Sequence, residues 1–173
     1  MAYKRFFSFI ALIILQVFFF DKMQFNIFLH PFPYVLFILS LPFEIPGYLL
    51  LFSAFFLGLG VDFMTNSMGF HTAACVLMAG LRPFVIRSLI KRIEDTNKLS
   101  PNIASLGVNR YLAYAASLIF IHHICLFALE AFNIIDIFKI IQRSILSGLF
   151  TLLWVLIFQY LFTKRNSKKT RTV

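Results

Sequence analysis

Charge is what this chain has least of: Asp, Glu, Lys and Arg make up 13% of it, against about a quarter of a soluble domain. Apolar residues fill 60%, above the roughly 45–50% of soluble proteins. A water-soluble fold with this balance could not cover its surface with polar groups, so lipid is the solvent the composition implies. Cysteine is equally sparse. Cys75 and Cys125 each fall midway along an apolar run, which excludes a disulfide framework and suits buried or lipid-facing thiols. Also absent are a Gly-rich phosphate loop, Gly-x-Ser-x-Gly, Cys-x-x-Cys and His-Glu-x-x-His, and no polar stretch is long enough to build a soluble domain around such a motif.

What is present is aromatic and apolar. The 24 Phe residues fit acyl-chain surroundings, because a phenyl ring needs no hydrogen-bond partner there. A bilayer core about 30 Å thick takes roughly 20 apolar residues of helix, and residues 69–90, 111–129 and 145–162 meet that directly. Residues 6–20 are shorter but flanked by Lys4, Arg5 and Lys22, whose stems can snorkel. A signal peptide would need a small-x-small cleavage site, whereas Asp21-Lys22-Met23 follows, so a retained helix is expected. Residues 32–61 are too long for one ordinary span and are cut by Pro42, Pro46 and Gly47 around Glu44. Proline removes a donor and disfavours helix before it. Two short helices, 33–41 and 48–61, joined at 42–47, are expected, either as two spans or as a re-entrant hairpin.

The positive charges test the count. Lys4 and Arg5, then Arg82, Arg87, Lys91, Arg92, Lys98 and Arg110, then Lys164, Arg165, Lys168, Lys169 and Arg171 form three basic regions. All three favour the cytoplasmic side. Six spans put them there together with both termini, and four spans plus a re-entrant hairpin satisfy the same parity; five do not. The expectation is an all-α polytopic membrane protein of about six transmembrane helices. Residues 1–163 form a single transmembrane domain and 164–173 a basic cytoplasmic tail. The net charge of +9 is then a topology signal and a contact for anionic lipid, not a nucleic-acid surface.

Polar residues at membrane depth raise a functional question by default. Asp62 ends the run Gly58-Leu59-Gly60-Val61-Asp62. It reads as a boundary residue, as a cap for Met64, Thr65 or Asn66 where the chain turns, or as a partner contact. Glu44 reads as a solvated loop residue. Arg82, just before Pro83, either snorkels to the cytoplasmic interface or pairs with Glu44 on that side. His122 and His123 are consecutive, so they point about 100° apart on a helix, and a hydrogen bond within the helix suits at least one of them. No metal or cofactor is expected. Glu130, Asp136, Lys139 and Arg143 read as an outer loop with an interfacial amphipathic piece. Small residues at 72–75 and 113–116 permit close helix approach.

The order of these motifs carries a resemblance. Gly58-Leu59-Gly60-Val61-Asp62, then Gly69 and His71-Thr72-Ala73-Ala74, resembles the rod shape-determining membrane protein family MreD. The Leu41-to-Gly47 break, Leu81-Arg82-Pro83-Phe84 and His122-His123 are similar to the version in one branch of Gram-negative bacteria. The resemblance implies a non-enzymatic scaffold of the cell-elongation machinery in the bacterial inner membrane. It would bind an MreC-like membrane protein and, through it, couple MreB filaments to the peptidoglycan synthases. Glu44, Asp62, Gly69, His71 and Arg82 are the candidate partner-binding or structural residues. The family is also similar in fold to the substrate-binding subunits of energy-coupling-factor transporters, and a vitamin-binding subunit is the alternative function. Many such subunits carry an Ala-x-x-x-Ala surface on the first helix, and residues 6–13 carry a single Ala. A lipid-modifying enzyme would need a convergent acid–base set, for which His71, Asp62 and His122 are the only candidates.

Overall fold

The computed structural model describes residues 2–22, 29–89, 100–131 and 137–169, and all the regular elements described here are helical. Helix α1 (Ala2–Leu15) runs on as a wider π turn over Gln16–Phe20, closed by the Asp21 N–H donating to the Gln16 carbonyl at 2.9 Å. A 3₁₀ turn at Pro33–Val35 leads into the short α2 (Leu36–Ser40). Then come α3 (Gly47–Thr65), α4 (Phe70–Leu89), the one-turn α5 (Ile103–Leu106), α6 (Val108–Glu130) and α7 (Ile137–Lys169).

Four of these are long and apolar enough to cross a membrane: α3, α4, α6 and Ile137–Leu161 of α7. The apolar part of α1, Arg5–Phe20, is shorter. The large apolar side chains on the outside, among them Phe7, Phe52, Phe63, Phe84 and Phe138, have acyl chains as their natural neighbours. In lipid, attraction between helices comes from close packing and hydrogen bonds rather than from expulsion of water.

Pro42 and Pro46 end and restart the helix as the sequence implies. α2 stops at Ser40 and α3 starts at Gly47, the latter with the Leu50 N–H on the Pro46 carbonyl. The piece before the break does not lie at the edge of the bundle. Pro33 to Leu39 are buried throughout, in contact with α1, α3 and α7. At eight residues, 33–40 is too short to cross a bilayer as helix. Such a piece is tolerated at membrane depth only where protein covers it, and here protein does.

α7 begins earlier than expected, at Ile137 rather than 145. Residues 139 and 143, read above as part of an outer loop with an interfacial amphipathic piece, are therefore in the same helix as the last apolar run; Asp136 lies outside the described residues. Arg143 donates to Glu130 of α6 at 3.1 Å and its guanidinium sits 4.3 Å from the Phe127 ring centroid. This neutralises the charge and lets the apolar helix start below it. At its other end α7 continues as helix to Lys169, so the basic tail begins as an extension of the last span.

Candidate functional site

The buried polar residues of the bundle gather at three levels along α4. At its first turn lies Asp62, the last buried residue of α3 and only 3% exposed. Its backbone carbonyl closes α3, accepting the Ser67 N–H at 3.0 Å, with Asn66 in the left-handed region at φ +56°. That is the bond that ends a helix in a Schellman turn. Its carboxylate then opens α4. Oδ1 accepts the His71 N–H at 3.1 Å and the Ser67 hydroxyl, and Oδ2 accepts the Thr72 N–H at 2.8 Å and hydroxyl at 2.5 Å.

The residue that would ordinarily cap α4 is Gly69. It has φ +88° and no side chain to offer, so Asp62 supplies the missing acceptor from the neighbouring helix. The first turn of a helix carries unpaired N–H groups and a partial positive charge, which a carboxylate answers on both counts. The approach depends on Gly58, one turn before Asp62. A Cβ there would stand 2.4 Å from the Thr72 Cα and 2.7 Å from the His71 carbonyl oxygen. The cap anticipated at Asp62 thus exists, but its side chain serves His71 and Thr72 of the next helix.

Two turns before the far end of α4, Arg82 is 1% exposed. Protein covers it on all sides, and it does not pair with Glu44, which is exposed. Its Nε donates to the Tyr114 hydroxyl at 2.8 Å; its terminal nitrogens donate to the Leu41 carbonyl and, at 3.3 Å, to that of Pro42. Tyr114 in turn donates to the Leu39 carbonyl at 3.1 Å. These are the carbonyls that the proline break leaves without helical partners. A guanidinium with five donors in a plane suits several at once, and its charge complements the negative end of α2.

Between these two levels lies a chain of rings. The Tyr34 hydroxyl is 2.9 Å from His71 Nδ1 and 2.8 Å from His122 Nε2, and Cys75 Sγ is 3.9 Å from that same Nε2. The Phe32 ring packs beside His71, His122 and His123 with centroids 5.2, 6.2 and 5.4 Å away. His123 points elsewhere. Its Nδ1 donates to the Ile119 carbonyl one turn back at 2.8 Å, and its Nε2 meets the Thr151 hydroxyl of α7 at 3.0 Å. Thr151 also accepts the Phe32 N–H at 2.9 Å, and Ser147 accepts that of His30 at 3.0 Å. The extended chain before α2 therefore hangs its backbone donors on two hydroxyls of α7. Near the end of α1, Gln16 is fully buried and its amide donates to Asp21 at 2.8 Å and to the Pro31 carbonyl at 3.2 Å. Burial raises the Asp21 carboxyl above its usual range against this bond.

Of the five candidates, Asp62, Gly69 and His71 thus come together at the first turn of α4, Arg82 sits three turns further along it, and Glu44 stands outside. Tyr34, Gln16, Tyr114 and Thr151 join them in the polar interior. None of these four is singled out from sequence; a lone amide in an apolar run is the signal that could have found Gln16, and the others carry no local signal. Among the described residues no set of three His, Cys, Asp or Glu side chains is placed to share a metal ion. No protein-family model, curated protein or solved structure matches this chain.

Proposed function

We propose that this chain is a membrane-embedded scaffold of the bacterial rod-elongation machinery, acting by contact within the bilayer rather than by chemistry. One observation carries the reading. The motif residues Gly58, Asp62, Gly69, His71 and Arg82, on which the resemblance to MreD rests, are spent on joining α2, α3 and α4 to one another. A scaffold needs such internal fastening, because a partner helix can be oriented only by a surface that holds its shape. The partner is an MreC-like protein with a single membrane helix, and MreB and the peptidoglycan synthases connect through it.

The topology that goes with this reading has six crossings. α1, the covered segment at 29–42, α3, α4, α6 and α7 make an even number, with both termini cytoplasmic in the inner membrane. The polar contacts support the second of these crossings. Phe32 binds Thr151 midway along α7, and Leu41 binds Arg82 near the basic end of α4.

Affinity purification of the full chain in a mild detergent, with identification of what accompanies it, tests the reading. Co-purification of a coiled-coil protein with one membrane helix, together with loss of rod shape on depletion, is the expected result. A bound vitamin, or an ATPase pair with its coupling subunit, would replace it with the transporter alternative.

A further inference from the structure

Two contacts set the register of α4 against α6: Arg82 with Tyr114, and Cys75 with His122. One number rises as the other falls, so the helices are antiparallel, and Arg87 stands level with residues 109 and 110. Arg87 and Arg110 are both exposed. Between the helices at this end runs an open groove of about 300 Å³, walled by Phe84, Val85 and Leu89, with Ser88 and Ser117 as its hydroxyls. Phe84 is 65% exposed, and its ring forms one lip.

Nothing on these two helices offsets the charge at this end. α4 contains no acidic residue, and the one on α6, Glu130, is at the opposite end and bound to Arg143. Arg82, just inside, bonds only to neutral oxygens. An apolar groove open to lipid is filled by an acyl chain. One that runs toward the level of two exposed guanidiniums, though neither is part of its wall, prefers a chain whose headgroup brings a phosphate with net negative charge, since a guanidinium grips phosphate in a two-pronged fashion. The geometry points to a site for one anionic phospholipid here, its acyl chain along Phe84, Val85 and Leu89 and its phosphate between Arg87 and Arg110. The inference is independent of the rod-elongation reading.

The test is native mass spectrometry of the full chain in detergent, titrated with dioleoyl phosphatidylglycerol and, separately, dioleoyl phosphatidylcholine. One phosphatidylglycerol is retained at concentrations where phosphatidylcholine is lost. Each arginine near the surface contributes about fivefold, so the double variant Arg87→Gln/Arg110→Gln weakens phosphatidylglycerol about thirtyfold and leaves phosphatidylcholine unaltered. Ser117→Phe fills the groove and weakens phosphatidylglycerol with both arginines present. Ser88→Phe, on the exposed side, serves if that variant does not elute as a single species. Equal retention of the two lipids overturns the site. So does an equal loss in Arg5→Gln on α1, which would mean diffuse attraction to charge, or full retention in the groove-filling variant.

Discussion

The carboxylate of Asp62 holds Thr72 twice, through the backbone N–H at 2.8 Å and the hydroxyl at 2.5 Å, and so fastens the end of one helix to the beginning of the next. Arg82 performs the opposite task sixteen or so ångströms along α4, where it takes the carbonyls that a broken α2 leaves open. Each of these buried charges answers the partial charge of a helix end, which explains how both persist without an ion pair to each other or to Glu44.

Replacing Asp62 by Asn separates capping from mere polarity. An amide can keep one accepting side, but its NH₂ then faces an N–H or hydroxyl of Ser67, His71 or Thr72. Leaving a buried donor unmet costs about 1–3 kcal/mol. Ser67→Ala removes a single hydroxyl and leaves the carboxylate its other three donors, at about 1 kcal/mol or less. The apparent unfolding midpoint in detergent should fall clearly for Asp62→Asn and little for Ser67→Ala; equal midpoints would remove the capping role.

Two glycines give opposite outcomes for the same change. A Cβ at Gly58 meets the backbone of Thr72 and His71 at 2.4–2.7 Å, atoms that cannot move without dragging the first turn of α4. Gly58→Ala should therefore destabilise by about 1–3 kcal/mol. Gly80 has nothing within 4 Å of its would-be Cβ, and alanine favours a helix over glycine by about 0.5–1 kcal/mol. Gly80→Ala should raise the midpoint, and a fall there, or an unchanged Gly58→Ala, would contradict the packing.

These two residues also mark what the sequence could disclose. The breaks at Pro42 and Pro46 and the turn at Asp62 were legible because proline, glycine and helix-end rules act within a few residues. The long spans were legible from apolar length. The length of α7 was not, because the charge of Arg143 suggested a loop until Glu130 and Phe127 were seen to absorb it. Nor was the burial of α2, or the meeting of Tyr34 with His71 and His122, since contacts between helices in lipid leave no periodic stripe. Arg82 stands out in the sequence, but only the interface or an acidic partner offers itself there. Its true acceptors are carbonyls, which every residue possesses and no sequence distinguishes.

That correction is itself open to test. If Arg82 served Glu44, reversing both charges would restore what Arg82→Glu loses. With the guanidinium on Leu41, Pro42 and Tyr114, Glu44→Arg cannot rescue Arg82→Glu, and Glu44→Gln alone should shift the midpoint by less than about 0.5 kcal/mol, as exposed sites do. Arg82→Lys should also destabilise, because one ammonium cannot reach the acceptors that a planar fork spans. Rescue in the double variant would return the ion pair.

The hydrogen positions around Tyr34 follow from what each acceptor can accept. The Ile119 carbonyl can only accept, so His123 carries its proton on Nδ1, and its Nε2 faces the Thr151 hydroxyl, whose one proton also points to the Ser147 carbonyl at 2.8 Å. Tyr34 has one proton for two rings. His122 Nδ1 is buried without a partner, and a bare acceptor there costs less than an unmet N–H, the rarer defect in folded proteins. His122 therefore holds its proton on Nε2 and donates to Tyr34, which donates to His71 Nδ1. Nitrogen-15 spectra of the labelled protein should show the Nε2–H form for His122 and the Nδ1–H form for His123. In Tyr34→Phe the His122 signal should move while that of His123 stays, because only the former loses its partner. The Nδ1–H form at His122 would reverse the direction of the whole chain and require an acceptor beside that nitrogen.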